Sequence, residues 1–284
     1  ARDVQNLPLF AFDFIQTGDE IIPIQRGLII SDHPHWDYIL EPGKIWNEKG
    51  DNGYSRAAIP FSLQQKNQNC IHNGVMTFLF RDDGTMSQAA VQVVSETCLY
   101  FKFDMWEVLE ASYQPAVIQN GLQIINSNRH EKTSRLPTRP IEELARDFPG
   151  TRISNFGSAD EIDPDHMTAF GFIIKGIHYV GGCGTRYGLY PYCDVMTLPS
   201  YSTAKSLFGG LALMRLEALF PGAKDASIAD YIPACKKAGS WKKVTFNDAL
   251  NMTTGHYNTQ KYMAEAGEAV FGRFFYSTHQ KGKL

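Results

Sequence analysis

Ser202-Thr203-Ala204-Lys205-Ser206-Leu207-Phe208 opens an apolar run that continues through Leu211, Ala212, Met214, Leu216 and Ala218. These residues recur at helical spacing, so the run predicts a helix buried in a core. Pro199 stands just before it, so the chain is expected to enter extended and to turn sharply into the helix. Positions i and i+3 share a helix face, which puts Lys205 one turn from Ser202. A serine hydroxyl is a weak nucleophile until a neighbour takes its proton or stabilises the alkoxide, and a lysine at this spacing can do either. Ser202 and Lys205 are therefore the candidate catalytic pair, with the amine expected about 2.6–3.2 Å from the hydroxyl. Chemistry of this kind calls for no metal and no cofactor.

The S-x-x-K pattern alone is weak, because the chain carries a second copy at Ser240-Trp241-Lys242-Lys243. Context separates the two. Ser240 lies in a short polar segment with no apolar helix after it, and reads as surface.

Two further stretches follow Ser202 in order: Ser227-Ile228-Ala229-Asp230-Tyr231-Ile232-Pro233, and Val244-Thr245-Phe246-Asn247-Asp248-Ala249-Leu250-Asn251-Met252-Thr253-Thr254-Gly255. Thr245 and Asp248 have the spacing of a helix capping box. Before Ser202, 168–174 and 177–180 are apolar and β-branched around Lys175-Gly176, the pattern of a β-hairpin. Taken together, residues 166–258 resemble the front of the class C β-lactamase, penicillin-binding protein and D-alanyl-D-alanine carboxypeptidase-like esterase group. The first stretch is similar to that group's V-x-x-Y-x-P segment, and the second to its I-T-I-R-D-L-L-T-H-T-S-G segment, with Met252 where the group often has His.

The resemblance implies an α+β chain: a β-rich N-terminal domain at 1–150, then the first part of a serine β-lactamase-like α/β sandwich at 151–284. It implies acyl-enzyme chemistry at Ser202 on a small-molecule or peptide substrate, whether a D-amino-acid peptide, a β-lactam or a simple ester. Ser202's own N–H would be one oxyanion donor, and His256 and Tyr257 would border the rim as substrate contacts. It also implies a periplasmic or secreted protein. The group's later Y-x-N and K-T-G or H-x-G elements have no counterpart here; Tyr276-Ser277-Thr278 and Lys281-Gly282-Lys283 are poor stand-ins. The chain is accordingly expected to be the front portion of a longer enzyme, or to be completed by a second chain, and to be inactive alone. The competing expectation is a non-catalytic binding or assembly protein that keeps the acylating helix.

Upstream, the first 130 residues read as strands and turns. Gly74–Phe80 and Ala89–Val94 are strand-like on either side of an Arg81-Asp82-Asp83-Gly84 turn, and 99–103 alternates aromatic and polar residues. Arg135–Pro140 reads as a stiff connector, and 140–148 as a short helix closed by Pro149-Gly150. Trp36, Trp46 and Trp106 are expected to pack in the sheet rather than to form a sugar platform. The set Asp32, His33, His35 and Asp37 has no metal-ligand spacing and reads as a polar turn, and 160–165 as a solvated acidic loop rather than a calcium site. The glycines at 181, 182, 184 and 188 do not make G-x-G-x-x-G, which argues against a dinucleotide site. A net charge of −3 from 27 basic and 30 acidic residues offers no basic stripe for nucleic acid. No apolar run reaches the length of a membrane span. Five cysteines leave at least one unpaired within a monomer; buried thiols are favoured over disulfides, with Cys183–Cys193 an even choice in an exported protein.

Overall fold

The computed structural model describes residues 3–96, 105–153, 167–185, 187–257, 259–262 and 264–277. Its contacts divide the chain into two compact units, 1–199 and 200–284. That division falls later than residue 150.

Unit 1 is dominated by one antiparallel sheet of nine strands: β1 (Phe14–Thr17), β2 (Glu20–Pro23), β3 (Leu28–Ile29), β4 (Trp36–Leu40), β5 (Gly43–Trp46), β6 (Ser55–Gln65), β7 (Ile71–Phe80), β8 (Ala89–Glu96) and β9 (Trp106–Leu109). The strand order is β1-β2-β5-β6-β7-β8-β9. Strand β6 is long enough to serve two neighbours. Its first half pairs with β5 (Lys44↔Ala58), and its second half with β4 (Tyr38↔Leu63), which in turn carries β3. One face of the sheet closes over a core that includes Trp36, Tyr38, Ile59, Phe61, Leu63, Phe80 and Val91. The Arg81–Gly84 turn forms as its sequence requires, with the Gly84 N–H donating to the Arg81 carbonyl at 3.1 Å and Gly84 at φ +93°. Trp36 is fully buried, whereas Trp46 and Trp106 are 40% and 69% exposed, so packing accounts for only the first. The 99–103 strand and the 160–165 loop lie outside the described residues.

Strand β6 is buried on both faces, which a half-solvated antiparallel strand would not be. The cause is a segment from much later in the chain. Tyr190 and Tyr192 lie against the outer face beside Ala58 and donate their hydroxyls to the Gly74 and Ala58 carbonyls, each at 3.0 Å. Burial pushes both phenols up in pKa. Asn73 exchanges two hydrogen bonds with the Thr197 backbone, at 2.9 and 2.8 Å, and Ser62 donates to the Thr197 hydroxyl at 3.0 Å. The register of β7 against β8 shifts at Asn73/Gly74, where β8 carries one extra residue, Val94.

Helix α1 (Gly121–Ser134) corrects the reading of the first 130 residues as strands and turns. Its sequence, GLQIINSNRHEKTS, has little apolar periodicity, so pattern could not reveal it. Two ion pairs and a hydrogen bond to residues about a hundred positions earlier hold it: Arg26 with Glu131 at 2.5 Å, Lys132 with Glu20, and the Asn128 amide donating to Glu20 at 3.2 Å. The connector is also corrected. Its β10 (Thr138–Pro140) pairs in parallel with β12 (Ile177–Gly182), which forms the expected hairpin with β11 (Ala169–Ile174). Lys175 and Gly176 both take positive φ, 51° and 77°, the geometry of a two-residue hairpin turn. A short 3-10 turn (Ile141–Glu143) and α2 (Leu144–Asp147) pack Ile141 and Leu144 on Tyr179. The Tyr179 hydroxyl donates to Asp147 at 2.7 Å, holding that carboxyl below its usual range with help from Arg146 and Arg139. Glycine-rich β13 (Gly184–Thr185) and β14 (Gly188–Leu189) make a two-stranded ribbon.

The preference for free thiols is overturned. Cys183 is disulfide-bonded to Cys193 with Cα atoms 5.9 Å apart, and Cys70 is disulfide-bonded as well; Cys235 is free. An odd total hides pairing, because it fixes only that at least one thiol is left over.

Unit 2 is helical. A helical run from 203 to 219 contains a π-helical stretch (Lys205–Gly210) followed by α3 (Leu211–Leu219). After it come α4 (Ile228–Tyr231), α5 (Pro233–Ala238), α6 (Phe246–Leu250) and α7 (Ala269–Tyr276). The expectation that the first of these is buried fails: no residue of 205–219 is buried, and Leu207, Phe208, Leu211 and Met214 are 49%, 73%, 60% and 69% exposed. The apolar period gives the direction of the stripe; a covering layer is a separate requirement.

Candidate active site

The approach to Ser202 is a tight reversal. Tyr201 sits at φ +44°, a left-handed conformation that a side-chain-bearing residue adopts at a cost. Three successive i to i+3 hydrogen bonds then wind the chain: Thr203 N–H to Ser200, Ala204 to Tyr201 and Lys205 to Ser202, at 3.0, 3.2 and 3.0 Å. Ser202 is therefore presented at the tip of a turn, exposed, at the N-terminal end of the helical run. The helix dipole favours negative charge at such an end.

Lys205 Nζ donates to Ser202 Oγ at 2.8 Å. The distance falls within the range expected from the spacing alone. The hydrogen bond runs from nitrogen to the oxygen that would become the nucleophile, so the amine is placed to stabilise an alkoxide. Directly after it the helix widens to π geometry over Lys205–Gly210, a local form often found at functional positions.

The second and third motif stretches pack together beside this helix. Ile228 N–H donates to the Val244 carbonyl at 2.9 Å and Phe246 N–H to Ala226 at 3.2 Å. Ile228, Ala229 and Val244 are the buried apolar side chains of unit 2 among the described residues. The capping box forms in full: Thr245 Oγ1 accepts from the Asp248 N–H at 3.0 Å, and Asp248 accepts from the Thr245 N–H at 2.9 Å. Those bonds from Thr245 hold the Asp248 carboxyl below its usual range. Leu250, on the helix so capped, approaches the helical run at Gly209, where an added Cβ would lie 3.3 Å from Leu250 Cδ1.

Comparison with known protein families, with curated proteins and with solved structures yields no match. The site is thus defined by its own residues. Of the four positions singled out, Ser202 and Lys205 are joined. His256 stacks on Trp241 with ring centroids 4.4 Å apart and accepts no role in that pair; its N–H donates to Thr254 at 3.3 Å. Tyr257 is 64% exposed. Ser240, in the other S-x-x-K copy, begins a short 3-10 turn (Ser240–Lys243) rather than an apolar helix. Sequence reading expected a sharp turn into the helix after Pro199 and missed the left-handed Tyr201 that makes it, the π-helical stretch and the Trp241–His256 stack. Only the second left a signal, the adjacent Gly209-Gly210 inside an otherwise apolar helix.

Among the described residues, no cluster of three or more His, Cys, Asp or Glu could hold a metal ion, and no helix is long and apolar enough to cross a membrane. His33 behaves as a turn residue: its Nδ1 accepts from the His35 and Trp36 N–H groups, each at 3.1 Å.

Proposed function

We propose that this chain supplies the nucleophile of a serine hydrolase that works through an acyl-enzyme, on amide or ester substrates of the kind taken by β-lactamases, D-alanyl-D-alanine carboxypeptidases and related esterases. The observation that carries the reading is the 2.8 Å contact between Lys205 Nζ and Ser202 Oγ at the start of a helix. Ser202 Oγ attacks the substrate carbonyl, and Lys205 takes its proton or, as the ammonium, stabilises the alkoxide. The Ser202 N–H, at the positive end of the helix, is one donor to the oxyanion. The tetrahedral species collapses to the Ser202 ester and expels the amine or alcohol, and water then releases the acid.

The exposed stripe of the same helix supports a second element of the reading. A contiguous apolar surface of this kind marks a contact with another polypeptide. The competent enzyme therefore has further polypeptide over Leu207, Leu211 and Met214, and the 284 residues by themselves turn over poorly. The disulfides support an exported, oxidising location.

The test is to treat the native protein, with any polypeptide that accompanies it, with a fluorophosphonate probe and map the adduct. Labelling at Ser202, lost in Ser202→Ala and strongly reduced in Lys205→Ala, is expected. Labelling that persists in Ser202→Ala, or that maps to Ser240, overturns the assignment. A folded protein with no adduct favours the non-catalytic binding role.

A further inference from the structure

Unit 1 contains a cleft of about 650 Å³ built from residues that the hydrolase reading does not use. That volume lies in the range of small-molecule sites, about 300–1,000 Å³. The cleft exists because of how the N-terminal segment is held. Residues 7–13 take part in no strand. They cross the sheet as a strap pinned at two places: Trp36 Nε1 donates to the Val4 carbonyl at 2.8 Å, and the Tyr38 hydroxyl both accepts from the Ala11 N–H and donates to its carbonyl, at 3.1 and 3.0 Å. Phe10 sits edge-on to Tyr38 and Phe61, with centroids 5.0 and 5.3 Å away, so its ring is committed to the core. Between the pins Leu9 is 85% exposed. The floor opposite is Met76 and Phe78 on one face of β7, with the small Ala89 beside them.

The charges around it all have one sign. Glu107 and Glu110 line the cleft, and Gln88 Nε2 fixes the Glu110 carboxylate at 2.6 Å. A neighbouring cleft, which shares Phe12, Phe14 and Tyr113, adds Asp13 and Asp82. No Lys, Arg or His is among the described residues lining either. Aromatic ring faces also attract cations. The geometry points to a binding site for an amphipathic cation, a molecule with an apolar chain or ring and an ammonium head. The apolar part enters beneath the strap, and the head remains at Glu107 and Glu110. A fatty carboxylate of the same length would bring a like charge to the same rim.

The experiment is calorimetric titration of the full chain with decyltrimethylammonium, below its micellar concentration, against decanoate. Saturable one-to-one binding of the ammonium is expected, at least tenfold tighter than decanoate. Glu107→Gln with Glu110→Gln, both on exposed surface and so compatible with folding, should remove that preference. Met86→Trp, at the edge of the cleft, should abolish binding of both ligands while circular dichroism stays unchanged, and Ser202→Ala should alter nothing. Equal affinity for the two ligands, no saturable binding, or an unchanged preference in the double Gln variant overturns the proposal. Binding that survives Met86→Trp also overturns it, by placing the ligand elsewhere, the exposed stripe of 205–219 included.

Discussion

Two regions of this chain solve the burial problem differently. In unit 1, β6 is covered on one face by the aromatic core and on the other by Tyr190 and Tyr192, so its residues see almost no water. In unit 2, the helical run after Ser202 is at least as apolar, yet none of residues 205–219 is buried. The difference teaches that apolar content does not make a core; a second layer does. The proposed nucleophile, Ser202, stands at the start of this run without buried residues, where cover by another polypeptide would have the greatest effect.

Four measurements break or sharpen this contrast. The largest effect is expected in hydrogen exchange followed by mass spectrometry. Amides of β6 and β7 should exchange at least about 10³-fold more slowly than those of 211–219, because exposed, sparsely packed segments open at small free-energy cost. Equal protection would mean that the stripe is covered in solution. Next, Leu63→Ala, at a fully buried position, should destabilise unit 1 by about 2–5 kcal/mol in denaturant titration. Leu211→Ala, at a position 60% exposed, should cost well under about 1 kcal/mol.

The third concerns pH. His72 is fully buried beside Trp36, and burial lowers its pKa to about 4. The neutral ring is favoured in the folded state, so an unfolded chain binds the proton first. Stability from this group is intact above pH about 6.5 and is lost as pH falls from there toward 4, by on the order of 3 kcal/mol at the acid end. His72→Phe should flatten the unfolding profile of unit 1 in that window, while signals from unit 2 stay unchanged. The smallest effect is at a helix cap: Thr245→Ala removes the capping bonds of α6 and should cost about 1 kcal/mol, seen in unit 2 only.

What sequence made legible was local. The Lys175-Gly176 turn, the Arg81–Gly84 turn, the Thr245–Asp248 box and the Ser202–Lys205 spacing each depend on residues a few positions apart, and each appears with the expected geometry. What stayed hidden was long-range. Helix α1 is held by Arg26 and Glu20, β10 finds its partner at 178–180, and the second cover of β6 arrives from residues 190–197. Pairings of this kind depend on where the folded chain passes, and no periodicity records them. The exposed stripe shows the same limit from the other side, because a pattern can describe an interface whose partner lies elsewhere.

The π-helical stretch between Lys205 and Gly210 has a genetic consequence. Such a stretch is in effect one residue more than an α-helix would hold, and each residue of an α-helix turns the chain by about 100°. Deleting the single codon for Gly210 would let the helix close to ordinary geometry. Because the widened turn already absorbs that residue, the Ser202–Lys205 pair upstream and Leu211 and Met214 downstream would keep nearly their present directions. One in-frame deletion is thus absorbed at Gly210, whereas the same deletion inside Leu211–Leu219, which has no residue to spare, would turn everything after it by about 100°.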